Sequence, residues 1–241
     1  MTTISKRLQA VKTGIHHAGL EFGRHPDSIA MLAVSKAQSA DRIREAYSAG
    51  QRAFGENYLQ EALDKQLQLA DLDIEWHYIG PIQSNKTQAI AQHFSWVHSI
   101  DRIKIVERLS AARSTDLPPL QVCIQVNVSG EASKSGVEPS DVLPLAEAII
   151  RLPQLRLRGL MAIPAPTQDM TVQRKQFGLV RETLVALKDQ LQKSGHKQQA
   201  AGLDTLSMGM SDDYPAALAE GSTMVRIGSA IFGARPIKNK E

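Results

Sequence analysis

Eight times along 241 residues a short strand-forming run gives way to a segment of helical periodicity, and this repeat restricts the fold more than any single motif. The strand runs lie at 29–36, 52–54, 75–79, 96–98, 120–128, 155–162, 203–206 and 223–227. Between them, apolar residues recur every three or four positions. Ile103, Val106 and Leu109 form one such set, and Phe177, Val180, Leu184, Leu187 and Leu191 form the strongest. Ile4, Leu8, Val11 and Ile15 predict an additional helix ahead of the first strand, and Pro215 suits the first turn of a helix after the seventh. No linker or change of composition interrupts the series. The expectation is an α/β fold, a single (β/α)8 TIM-type barrel with an extra N-terminal helix, spanning 1–241 as one domain; such barrels take about 250 residues. The second, fourth and seventh runs are short, and a doubly wound sheet is the alternative if one or two of them fail.

Run 120–128 bears on that choice. Val122, Ile124, Val126 and Val128 alternate with Cys123, Gln125 and Asn127, so one face is apolar and the other partly amide. A sheet buried on both faces is more often apolar throughout, whereas a barrel interior near a ligand accommodates amides.

Composition excludes several function classes. With 42% apolar and 22% charged residues the chain has the make-up of a globular protein with little disorder. Its net charge of +3 is scattered rather than gathered in a run, which gives no basis for a nucleic-acid partner. Residues 1–8 lack the apolar core of a secretory signal, and no uncharged apolar run approaches the roughly 20 residues of a membrane span. Cys123 is the only cysteine and sits in an apolar run, so it is expected to be a buried core residue in a reducing compartment. Together these features point to the cytoplasm, away from membranes; they do not decide the oligomeric state, for which a monomer is the favoured expectation.

In a barrel of this kind the residues just past each strand share one rim, and function belongs to that rim. Here it holds Lys36, Asn57, Gly80, Ser99, Asn127, Met161, Ser207 and Arg226. Lys36 ends the first strand; it is either a solvated strand-end residue or an amine shielded enough to form a Schiff base with an aldehyde. Ser207-Met-Gly209 and Gly228-Ser229 follow strands seven and eight, where this fold often binds phosphate, although a Gly-Ser pair is also an ordinary helix start. Arg226 is a charge within an apolar strand and needs an acceptor, either a ligand anion or a barrel salt bridge. Asn57 could face a ligand or cap a helix. His77, His93 and His98 read as core residues, Glu56 and Glu61 as members of a solvated helix, and no grouping has metal-ligand spacing.

An amine at strand one and a phosphate cradle at strands seven and eight describe a pocket for pyridoxal 5′-phosphate (PLP). Ala33-Val-Ser-Lys36, Phe54-Gly-Glu-Asn57, Trp76-His-Tyr-Ile-Gly-Pro-Ile-Gln-Ser-Asn-Lys86, Arg158-Gly-Leu-Met161, Leu206-Ser-Met-Gly-Met-Ser-Asp212 and Val225-Arg-Ile-Gly-Ser229 stand in the order in which they occur in the pyridoxal phosphate homeostasis protein family. The chain resembles that family from about Lys36 to Gly233, with Ile82 where leucine is commoner. The family in turn is similar to the barrel domain of alanine racemases. The resemblance implies Lys36 as the Schiff-base lysine, Ser207, Gly228 and Ser229 around the phosphate, Arg226 at the pyridine nitrogen and Asn57 near the ring. It implies a carrier that buffers PLP or delivers it to PLP-dependent apoenzymes, without robust turnover. The alternative it leaves is an amino-acid racemase. Alanine racemases draw a second base from an additional β-domain, and this chain ends a few residues past its eighth unit.

Overall fold

In the computed structural model, residues 3–129 and 135–233 are described. Part of the expected loop 129–136, and both ends of the expected domain 1–241, lie outside the described residues. The first half of the chain runs α1 (Ile4–Glu21), β1 (Ala30–Val34), α2 (Ala40–Ser48), β2 (Ala53–Glu56), α3 (Leu59–Gln68), β3 (Glu75–Tyr78), α4 (Thr87–His93), β4 (Trp96–Ile100) and α5 (Ile103–Ala112). The second half runs β5 (Leu120–Gln125), α6 (Val142–Ile150), β6 (Leu155–Met161), α7 (Met170–Lys193), α8 (Lys197–Ala201), β7 (Thr205–Ser207), α9 (Tyr214–Ala219), β8 (Met224–Ile227) and α10 (Ser229–Phe232).

The strands form a closed parallel barrel in sequence order. Closure comes from β1 against β8, with Ala30 opposite Met224 through Ala33 opposite Ile227. The doubly wound alternative is therefore excluded. Strands of three to five residues suffice because a closed barrel has no edge: each short strand is bonded on both sides.

The helices follow the predicted periodicity. Asp169 caps α7 by accepting from the backbone N–H of Thr171, and α7 buries Phe177, Val180, Leu184, Leu187 and Leu191. The extra helix α1 is capped by Thr3 and buries Ile4, Leu8 and Ile15. Its first N–H, on Ile4, donates to Glu45 Oε1 of α2 at 2.9 Å, which fixes α1 against the outside of the barrel. No helix among the described residues is long and apolar enough to cross a membrane.

Apolar burial divides into two regions. The outward sheet face and the helices share one large cluster that includes Phe54, Val97, Ile124, Leu160, Phe177 and Ile227. The bore of the barrel holds two small apolar clusters, Leu32 with Ile79 and Met224, and Trp96 with Cys123 and Met161. His77, His98, Ser207 and Arg226 run between those clusters and are almost wholly buried.

Candidate functional site at the carboxyl ends of the strands

A cavity of about 510 Å³ opens at the carboxyl ends of the strands, and it brings together Lys36, Asn57, Arg226, Gly228 and Ser229. Its volume is within the range of small-molecule sites. Val34, Ile79 and Ile163 supply apolar wall, while Gln38, Met210, Ser211 and Asp212 supply the remaining edges with Gly233.

Lys36 is half-buried, and the residues on either side of it are pinned by one buried ion cluster. Lys65 Nζ donates to the Ser35 carbonyl at 2.8 Å, to Glu56 Oε1 at 2.7 Å and to Glu61 Oε1 at 2.5 Å. Ser35 Oγ donates to Glu56 at 2.6 Å, and the Ala37 N–H donates to Glu61 at 2.6 Å. Ala37 has φ of 60°, the only positive value among the described non-glycine residues, so the turn directly after Lys36 is strained and held by Glu61. Burial raises the Glu56 carboxyl above its ordinary range, with Lys65 opposing that shift. Glu56 and Glu61 were expected on one solvated helix. Instead Glu56 ends β2 with no exposure, because it shares the helix-facing side of the strand with Phe54 and meets Lys65 of α3 there.

Asn57 does not cap a helix. The N-cap position of α3 is Tyr58, and Asn57 Oδ1 is a buried oxygen without a hydrogen-bond partner. Gln38 Oε1 is another, so two unpaired amide oxygens belong to residues that line the cavity. Buried acceptors in this state are expected to have a ligand or water as partner. The backbone at Asn57 also explains Gly80: a Cβ there would lie 2.1 Å from the Asn57 carbonyl oxygen. Ser99, expected just past the fourth strand, lies inside β4 and donates to the Gly80 carbonyl at 2.5 Å.

Arg226 is 3% exposed. Its Nη1 donates to Ser207 Oγ at 2.9 Å and, closely, to the Ser207 carbonyl, and its Nη2 donates to the Ala162 carbonyl at 2.9 Å. These are neutral acceptors, not the salt bridge that sequence reasoning allowed. Burial lowers the guanidinium pKa to about 10, which leaves it charged at neutral pH.

Of the residues expected around the cofactor, Ser207 is the one that does not line the cavity. It ends β7, has no exposure, and its hydroxyl lies between Arg226 and His98 Nδ1, the latter at 2.8 Å. It supports Arg226 from below instead of lining the cavity. The lining is supplied three to five residues later by Met210, Ser211 and Asp212 after a bend at Gly209, where φ is +95°. Ser211, Asp212 and Gln38 were missed; the motif Leu206-Ser-Met-Gly-Met-Ser-Asp212 contained the first two, but its second serine was not distinguished from its first.

The cavity thus offers a half-buried amine, a fixed guanidinium, unpaired amide oxygens and a Gly-Ser turn, a set suited to an anionic aromatic aldehyde. Over residues 22–236 the chain matches the family described as alanine racemase, N-terminal domain. The pyridoxal phosphate homeostasis protein of Pseudomonas aeruginosa is 57% identical over 235 residues, covering 98% of this chain and 97% of that protein. Its Escherichia coli counterpart is 49% identical over 243 residues and all of both chains. PipY of Synechococcus elongatus, solved with PLP bound, matches with a TM-score of 0.78 at 36% identity, covering 96% of this chain and 100% of that one. The chain therefore belongs to the pyridoxal phosphate homeostasis protein family, and its barrel to the alanine racemase N-terminal domain family.

Proposed function

We propose that this protein binds pyridoxal 5′-phosphate in the strand-end cavity and acts in its intracellular homeostasis, buffering the cofactor or handing it to apoenzymes in the cytoplasm. The observation that carries the reading is the convergence of Lys36 and Arg226 on one cavity whose wall includes unpaired oxygens of Gln38 and Asn57. In this reading PLP supplies an aldehyde that the Lys36 amine captures. Gly228 and Ser229, joined by Ser211, would hold the phosphate, and Asn57 and Gln38 would contact the ring or its substituents. Arg226 would face the ring nitrogen.

Little turnover is expected from such a site. A guanidinium only donates, so it cannot serve as the carboxylate that keeps the ring nitrogen protonated, and the ring becomes a weak electron sink. Proton exchange on both faces of a substrate carbon also needs a second acid-base group opposite Lys36. Among the described residues lining the cavity, Asp212 is the only carboxylate, and no histidine or tyrosine lines it.

The visible spectrum of the protein with added PLP, before and after borohydride, tests the reading. A yellow band is expected that borohydride abolishes, with the reduced adduct mapped to Lys36 and absent from Lys36→Ala. A protein that stays colourless overturns it. Exchange of the Cα proton of alanine in heavy water at enzyme-like rates, lost in Lys36→Ala, would favour a racemase instead.

A further inference from the structure

The bore contains a run of polar contacts that ligand binding alone does not require. From Arg226 it passes through Ser207 Oγ to His98 Nδ1 at 2.8 Å, from His98 Nε2 to His77 Nδ1 at 2.9 Å, and from His77 Nε2 to Glu75 Oε1 at 2.7 Å. Arg226 reaches the cavity at one mouth of the barrel. Glu75 opens β3 at the other mouth and is half exposed. The run therefore crosses the bore from β8 through β7 and β4 to β3, joining residues up to 151 positions apart in sequence (226 − 75).

We propose that Glu75, His77, His98 and Ser207 act as one positioning relay, a hydrogen-bond chain with a single direction of donation that holds Arg226 at the cavity floor and is anchored at the opposite mouth of the barrel. The two ends dictate the direction. A guanidinium can only donate and an ionised carboxylate can only accept. Ser207 Oγ accepts from Arg226 and turns its own O–H to His98 Nδ1. His98 then carries its proton on Nε2 and donates to His77 Nδ1, and His77 carries its proton on Nε2 and donates to Glu75. Reversing one internal link brings two donors or two acceptors together unless an imidazole takes a second proton. Burial opposes that at both rings, and Arg226 opposes it further at His98. The His77 ring is held in plane by stacking on Trp96, with centroids 5.3 Å apart and planes 6° apart.

Two imidazoles and a hydroxyl buried in the bore are costly unless fully bonded, and an apolar filling would serve packing equally well. The distinctive product of the relay is an Arg226 that cannot rotate away from the cavity. Its consequence for PLP rests on the function proposed above; the relay itself does not.

The test uses the full-length protein with 15N-labelled histidine. In the ligand-free wild type, both His77 and His98 are expected to be neutral with the proton on Nε2. Glu75→Gln keeps an acceptor and should keep both tautomers, whereas Glu75→Leu should leave each ring in a mixture. An Nδ1-protonated or doubly protonated ring in the wild type at neutral pH, or unchanged tautomers in Glu75→Leu, would overturn the relay. With PLP, Glu75→Leu should bind at least roughly threefold more weakly, the lower range for coupling through packed networks, and Glu75→Gln should restore the wild-type affinity. Shifted tautomers with unchanged affinity would overturn the positioning role. A wild type that binds no PLP would reject the proposed function while leaving the tautomer result to judge the chain of bonds. Because Glu75 is half exposed at a barrel mouth, both variants are expected to fold.

Discussion

The shell of this barrel and its bore are built on opposite principles. Between sheet and helices one continuous apolar cluster does the packing, with Phe54, Phe94, Phe177 and Phe232 among its wholly buried side chains. Inside the sheet, apolar contact shrinks to two small groups separated by the polar run from Arg226 to His77. The shell is held by area removed from water, a term indifferent to direction. The bore is held by bonds whose donors and acceptors must match one by one. Stability should therefore be most sensitive to volume in the shell, and the site most sensitive to single polar atoms in the bore and at its mouth.

The largest effect that would break this contrast is a shell cavity that also disables the site. Phe177→Ala, on the buried face of α7, should cost about 3–5 kcal/mol in urea denaturation and leave PLP affinity of the folded protein unchanged. Next comes the ion cluster behind Lys36. Lys65→Met strands two carboxylates and should cost about 3 kcal/mol, with a lower yield of the Lys36 adduct after borohydride. Adding Glu56→Leu should recover most of that stability, since an apolar replacement of a buried ion pair is often neutral. The adduct yield should stay low, because the Ser35 and Ala37 pins would remain loosened. Met224→Ala in the small bore cluster should cost about 2 kcal/mol, at the low end for such truncations because few apolar neighbours surround it.

The smallest effect is a pH slope. His77 and His98 are held neutral by burial, so the unfolded chain takes up protons near its ordinary histidine pKa that the folded chain refuses. Their contribution to stability is present above about pH 6.5 and is lost as the pH falls below it. Glu56, with its raised pKa, acts in the opposite sense, losing its contribution as pH rises through the folded value. Comparing His98→Gln with the wild type between pH 7 and 5 isolates the histidine: the variant's stability should fall less steeply, by at most about 1.4 kcal/mol per pH unit.

The fold was legible because its signal is local. Each strand and helix announces itself by its own period, and even Thr205–Ser207, too short to show a period, was located by the elements around it. Lys36, Arg226 and Gly228-Ser229 were legible as residues at strand ends. What escaped depends on contacts across the barrel. His77 and His98 are 21 positions apart, and His98 and Ser207 are 109 apart, so sequence spacing treats them as isolated core residues. Glu56 was misread because it is the last residue of a four-residue strand, and its partner Lys65 comes from the helix that follows. The choice between Ser207 and Ser211 rests on the bend at Gly209, which a rule about strand ends does not contain.

Cys123 has no exposure, lies in the bore beside Trp96 and Met161, and has a thiol pushed up to about 12 by burial. In the folded protein it is closed to alkylating reagents, since the thiolate is the reactive form. As the chain's single cysteine it is a built-in clock: the rate at which it becomes modified times the opening of the barrel, and slowing of that clock by a ligand reads out occupancy of the far-off cavity without any label, dye or engineered residue.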